Sequence, residues 1–254
     1  MDIDTHIADD VLTITFDRPE KKNAITAAMY GALADALHRG ESDPAVRAML
    51  IAGQPGIFTA GNDLEDFLKS PPHGDDSPVF RFLQIISTAQ KPIVAAVRGA
   101  AVGVGTTLLL HCDLVYAGRS AKFSLPFVQL GICPEAASSL LLPQLIGFRQ
   151  AAAKLLLGEP FGADEALALG FVNQVLDDDA VLDHARAQAI KLASLPATSI
   201  RTTKWLMKGD AAADVAERMK KEGTAFREML GSREAKEAFS AFFEKRKPDF
   251  KQFA

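Results

Sequence analysis

Phe58-Thr59-Ala60-Gly61-Asn62-Asp63-Leu64, followed by Gly99-Ala100-Ala101-Val102-Gly103-Val104-Gly105 and then by Pro134-Glu135-Ala136-Ala137, decides how this chain is read. The first two stretches have the same setting. An apolar run able to form a strand (46–52 and 93–97) leads into glycines, and a helical pattern follows. The first N–H groups of a helix lack internal partners and sit at its positive end, so they can stabilise an anion. A dinucleotide-binding turn and a nucleotide P-loop both fail, because the Gly-x-Gly-x-x-Gly spacing and a following Gly-Lys-Ser/Thr are missing. Alone, Gly103-Val104-Gly105 fits a tight packing turn as well as an anion site. Two such turns, the first with Asp63 placed to cap its helix, can bracket one carbonyl oxygen. An oxyanion hole of that kind stabilises an enolate and lowers its barrier by several kcal/mol.

Outward from these turns the pattern repeats. Residues 3–16 alternate well enough for two strands joined at Asp9-Asp10. Arg18-Pro19-Glu20-Lys21-Lys22-Asn23-Ala24 cannot continue a strand, and Thr26 then reads as the N-cap of an amphipathic helix reaching about residue 39. Residues 63–69 and 79–88 read as helices. The segment 70–78 between them reads as an exposed loop, in which His73 is a solvated histidine. Short strands at 113–117, 121–125 and 171–175 alternate with helical pieces at 127–130, 136–146, 151–157 and 163–169. From Asp178 onward only helix is expected, over 180–194, 196–207, 211–230 and 232–245. Repeated strand-to-helix units argue for an α/β fold. The expected division is a core of residues 1–195 and a helical region of residues 196–254.

The 254 residues can bury a substantial core, and 48% apolar with 24% charged residues is ordinary for a soluble protein. A net charge of −4 gives no general reason to expect nucleic acid or an anionic membrane as partner. No apolar run approaches the ~20 residues of a membrane helix, and the acidic N-terminal segment does not read as a signal peptide. Cys112 and Cys133 are too few for a disulfide framework and lack metal-site spacing. Free thiols in a reducing cytoplasm are the expectation.

The chain resembles the crotonase superfamily (enoyl-CoA hydratases and isomerases) over essentially its whole length. The matching pieces are residues 18–24, 58–64 and 97–105, Cys112-Asp113, and Phe243-Glu244-Lys245-Arg246. The resemblance implies a spiral of ββα turns with a C-terminal helical trimerisation region. It also implies an acyl-CoA thioester whose carbonyl sits in a hole made by the N–H groups of Asn62 and Val104. Coenzyme A would then be the carrier of the substrate, not a permanently bound cofactor.

In the family's hydratases two glutamates hold a water. The first lies two residues after the last glycine of the turn, which here is Thr107. The second follows the proline of a Phe-x-x-Pro-Glu segment, and here Phe123-Ser124-Leu125-Pro126 is followed by Phe127. Both carboxylates are missing, and Thr107 and Phe127 read as pocket lining. Glu135 matches instead the glutamate of the family's Δ3,Δ2-enoyl-CoA isomerases. Moving a double bond needs one base that takes a proton from C2 and returns it at C4, so a single carboxylate suffices. Ile132, Cys133, Pro134, Ala136 and Ala137 surround Glu135 in sequence, and an equally apolar pocket would raise its pKa. The alternative is an acid that merely favours a helix N-terminus.

For the coenzyme, Lys21, Lys22, Asn23 and Ala24 match a CoA-contacting loop, and Ala60, Asp63 and Leu64 match the adenine and pantetheine pocket. Phe242 and Lys245 match residues that reach a neighbouring subunit's CoA. Solvated helix ends are the alternative for the lysines. Apolar stripes at Val215, Met219, Phe226 and Leu230 and at Phe239, Phe242 and Phe243 point to oligomerisation unless they pack on their own core, and the resemblance implies a homotrimer or a hexamer of paired trimers. A hydratase using Glu135 differently, and a non-catalytic acyl-CoA-binding protein, remain alternatives to the isomerase.

Overall fold

Two strands near the middle of the chain, β3 (Ala48–Ala52) and β5 (Ile93–Val97), are buried on both faces. Met49, Ile51, Ile93, Ala95 and Val97 point into one hydrophobic core, and Ala48, Leu50, Ala52, Val94 and Ala96 into a second. This is the two-residue period of a strand with apolar residues on each side, as a covered parallel sheet requires. The computed structural model describes residues 2–69, 74 and 76–253. Most of the expected loop 70–78, His73 included, lies outside the described residues.

The described residues form two sheets. The larger has the order β1 (Ile3–Ala8), β2 (Val11–Phe16), β3, β5, β7 (Leu114–Gly118), β10 (Gln174–Leu176). The smaller has the order β4 (Ile57–Thr59), β6 (Ala100–Val102), β8 (Lys122–Ser124), β9 (Phe161–Gly162). β3, β5 and β7 are parallel neighbours, and so are β4, β6 and β8. Three successive turns of chain thus each give one strand to the large sheet and the next to the small one before entering helix. This is the ββα spiral. The hairpin β1–β2 is antiparallel and turns at Asp9 and Asp10, both at positive φ.

The helices cover both sheets. They are α1 (Ala27–Ser42), α2 (Leu64–Lys69), α3 (Pro78–Thr88), α4 (Val104–Thr107), α5 (Ser138–Ile146), α6 (Phe148–Leu156), α7 (Ala163–Ala168), α8 (Asp178–Ser194), α9 (Ala197–Lys208), α10 (Ala212–Leu230) and α11 (Arg233–Phe243). Thr26 caps α1, its hydroxyl accepting the Met29 N–H at 3.2 Å. On α8, Val181, Ala185, Ala189 and Ala193 form a four-residue stripe of small side chains that lies on the second core. Lys204 and Lys208 on α9 both reach the Asp113 carboxylate, at 2.7 and 3.1 Å.

Several expectations need adjustment. The short strands β4, β6 and β9 were not expected; β6 lies inside the glycine stretch 99–105. The strand expected at 171–175 spans Gln174–Leu176, because Phe171 and Val172 turn into the core beside Phe123 and Phe161. The apolar stripes of α10 and α11 divide. Phe226 and Phe239 join the main core, Met219 and Leu230 pack at its edge, and Phe242 and Phe243 stay exposed.

Candidate active site

The two glycine turns meet. Gly61 has φ +83°, and a Cβ placed there would lie 2.6 Å from the Val102 carbonyl oxygen. Only a residue without a side chain permits this approach, in a backbone conformation that L-residues avoid. It brings Asn62 and Val104 into the wall of one groove of about 550 Å³. Neither backbone N–H has an acceptor among the described residues. Gly103, at φ +55°, precedes the first turn of α4, so the Val104 N–H belongs to the unpaired set at a helix start.

Lys21, Lys22, Ala24, Ala60, Asp63, Leu64, Phe127 and Phe242 also line this groove. Asn23 does not. It is fully buried, its carboxamide oxygen accepts the Arg18 N–H at 2.8 Å, and its amide donates to the Phe58 carbonyl at 3.0 Å. Asn23 therefore ties the lysine loop to β4 from beneath. Ala60 then donates its N–H to the Lys22 carbonyl at 3.0 Å, which sets both lysines over the turn. Lys245 is exposed and lies off the groove lining, where its neighbour Arg246 takes part.

Asp63 closes the start of α2 by accepting the Glu65 and Asp66 N–H groups, and it pairs with Arg18 at 2.7 Å. Burial opposes the charge on Asp63, but the hydrogen bond and charge of Arg18, together with the Asp66 and Glu65 N–H groups, outweigh it and hold the carboxyl below its usual range. Arg18 also donates to the Ala24 carbonyl at 2.8 Å, so one guanidinium joins the lysine loop to the first turn.

Glu135 lies off the groove, in an adjoining cavity of about 30 Å³. Asn62 and Phe67 line both spaces and connect them. The rest of the cavity wall is largely apolar, with Val79, Phe80, Leu83, Met219 and Phe226. Glu135 is 8% exposed, and burial raises its carboxyl to about 7 against the opposing hydrogen bond from Thr107. The direction is the one expected from the apolar sequence around it. Thr107 does not line the pocket. It is fully buried behind Glu135 and donates its hydroxyl to Oε1 at 2.5 Å. No other described residue hydrogen-bonds this carboxylate, which leaves Oε2 for a ligand.

Three contributors escaped the sequence reading. Tyr30, in the first turn of α1, donates its hydroxyl to the Asn62 side-chain oxygen. Burial, and next the charge of Glu135, hold the phenol well above its ordinary pKa, so it stays a donor. His111 is buried with Nε2 2.8 Å from the Ala136 carbonyl, and burial lowers its pKa to about 4, so the neutral ring donates there. Glu222 lines the cavity from α10. Its signal was present as a carboxylate interrupting the Met219–Phe226 stripe. Tyr30 and His111 gave none, since each fits a buried helical position.

Residues 6–253 match the family Enoyl-CoA hydratase/isomerase. The chain belongs to that family. Within this crotonase superfamily it is 34% identical to the 1,2-epoxyphenylacetyl-CoA isomerase of Escherichia coli K12, over 97% of each chain. It is 31% identical to the 2,3-dehydroadipyl-CoA hydratase of the same organism, over 95% of each. Its fold superposes on an enoyl-CoA hydratase/isomerase from Pseudoalteromonas atlantica T6c with a TM-score of 0.94. The identity there is 44%, and the match covers 98% of this chain and 100% of the other. The protein is a crotonase-family acyl-CoA enzyme.

Proposed function

We propose that the enzyme is a Δ3,Δ2-enoyl-CoA isomerase of fatty acid metabolism with Glu135 as its single acid/base. The thioester carbonyl accepts hydrogen bonds from the Asn62 and Val104 N–H groups. Ionised Glu135 takes a proton from C2, and the electron pair of that C–H bond delocalises onto the carbonyl oxygen. When the carbonyl re-forms, the double bond settles between C2 and C3 and the same carboxyl returns the proton to C4. Atoms and charge balance without a further reactant.

The observation that carries this reading is the pairing of two acceptor-free N–H groups with one buried carboxylate that has a free oxygen. A carboxyl near 7 serves both as base and as acid at neutral pH. Glu222 is the second carboxylate on the cavity, but each of its oxygens already accepts a main-chain N–H. That speaks for one-carboxylate chemistry over water addition.

In the groove, Lys21 and Lys22 suit the phosphates of CoA, while Ala24, Ala60 and Leu64 suit adenine and pantetheine. Residues 196–254 are proposed as the oligomerisation region of a trimer or hexamer. On α9 Trp205, Leu206 and Met207 are 67, 68 and 79% exposed, an apolar surface suited to a second copy. Among the described residues no helix is long and apolar enough to cross a membrane. A cytoplasmic location is proposed.

A paired assay tests the reading, with 3-hexenoyl-CoA for isomerisation and crotonyl-CoA for hydration. Isomerisation without hydration, lost by roughly 10²–10⁴-fold in Glu135→Gln, is expected. Efficient hydration would replace it with a hydratase. CoA binding without turnover of either thioester would leave an acyl-CoA-binding protein.

A further inference from the structure

Glu222 sits within the apolar stripe that docks α10, 6% exposed, where a carboxylate is costly unless it is hydrogen-bonded. Its bonds all run to one segment. Oε2 accepts the Ala137 N–H at 2.6 Å, and Oε1 accepts the Ser139 N–H at 2.9 Å. Its own carbonyl lies 3.6 Å from the Cys133 thiol, which donates to it. Glu135 lies inside that span, two residues after Cys133 and two before Ala137. One residue of the C-terminal helices thus grips the chain on both sides of Glu135.

The gripped segment needs holding. Ala136 and Ala137 have φ values of +61° and +56°, a left-handed conformation that crowds the Cβ of an alanine against its own backbone. Their peptide groups are fixed from opposite directions. His111 donates to the Ala136 carbonyl, and Glu222 accepts the Ala137 N–H. Without these partners the pair would relax toward ordinary helical values and swing Glu135 away from the cavity it shares with Asn62.

We propose that Glu222 is a positioning residue, which holds the left-handed Ala136–Ala137 turn through the Ala137 and Ser139 N–H groups and so aims Glu135 at the acyl carbons. This rests on the reading of Glu135 as the acid/base. Groups facing Glu135 come from every neighbouring element: Thr107 from α4, Tyr30 from α1, Cys133 from its own segment and Glu222 from α10. The charge of Glu222 raises the Glu135 carboxyl, with Arg218 beside it as partial counter-charge. Removing that charge moves the acid limb of the pH–rate profile to lower pH.

The test measures kcat and KM on 3-hexenoyl-CoA across pH for the full-length wild type, Glu222→Gln, Glu222→Leu and Glu135→Gln. Glu222→Gln, which keeps one acceptor oxygen, is expected to lower kcat about tenfold and shift the acid limb down. Glu222→Leu is expected to lose about a hundredfold, with KM unchanged in both because Glu222 is off the groove. An unchanged kcat and acid limb, with only a lower melting temperature, would reduce Glu222 to a docking contact and overturn the proposal. Wild-type turnover in Glu135→Gln would overturn the acid/base reading and this one with it. Loss in Glu135→Gln beside normal Glu222→Gln overturns this one alone. If Glu222→Gln does not fold, it is paired with Ala137→Gly, since glycine takes the left-handed conformation freely. The proposal expects glycine to remove the need for the grip, so that the double variant regains turnover; a double variant that folds but stays inactive would overturn it.

Discussion

Thr107 donates a 2.5 Å hydrogen bond to Glu135 from a fully buried position, on the first helical turn after the glycines that set the Val104 N–H. The N–H proposed as an oxyanion donor and the hydroxyl that supports the carboxylate therefore belong to one four-residue helix. The hydrogen bond favours the ionised form and works against burial. Thr107→Val keeps the shape and removes the donor, so the Glu135 carboxyl should move above about 7. A hydrogen bond to a charged group contributes about 1.5–3 kcal/mol, which corresponds to roughly 1–2 pH units. The acid limb of the pH–rate profile should shift up by that amount, and an unshifted limb would show that Thr107 does not tune the base.

The same burial has a cost in stability. The Glu135 carboxyl is raised from 4.5 to about 7 on folding. The protonated form is favoured in the fold, so this contribution is fully present below pH 4.5 and is lost as pH rises through about 7. The shift corresponds to roughly 3 kcal/mol. Glu135→Gln should accordingly be more stable than wild type in alkaline denaturant melts, by up to about that amount. The advantage should vanish in acid. Equal stability at all pH values would mean that the carboxyl is not desolvated.

Gly61 is where the two turns touch. An alanine there would place Cβ 2.6 Å from the Val102 carbonyl, which is main chain and cannot rotate aside. Gly61→Ala should separate the Asn62 and Val104 N–H groups. A loss of about 10²–10³-fold in kcat is expected, the effect of removing one oxyanion donor. Coenzyme A itself should still bind in calorimetry, because the lysine loop is held separately by Asn23.

Tyr30→Phe should leave the Asn62 side-chain oxygen without its donor. The cost in chemical denaturation is expected to be about 1–3 kcal/mol. Turnover should fall as well, because that hydrogen bond orients the residue whose N–H is proposed to hold the thioester carbonyl. A stable variant with normal kcat would detach Tyr30 from the site.

Much of this architecture was legible because its signals are local. The alternation of β3 and β5, the Thr26 cap, the Asp9-Asp10 hairpin turn and the Asp63 cap each depend on residues within a few positions of one another. Gly61 and Gly103 announced sharp turns before helices for the same reason. The strands β4, β6 and β9 were not legible, since two or three residues carry no period and exist only through pairing within the small sheet, β4 with β6 and both β6 and β9 with β8. The Glu135 segment was recognisable as a carboxylate after a proline, but not its left-handed pair.

Sequence by itself determined the α/β class, the two glycine turns that precede helices, and Glu135 as the carboxylate to examine. Tertiary structure decided what surrounds them. It turned Asn23 from a groove residue into a strut, set Thr107 behind Glu135 instead of on the pocket wall, and brought Glu222 from 87 positions away in the chain to grip the catalytic segment. The reason is the range of the forces involved. Turns and caps are fixed by steric limits and hydrogen bonds between near neighbours. Burial, and with it the charge state of Glu135, depends on α3, α4 and α10 arriving from three separate parts of the chain.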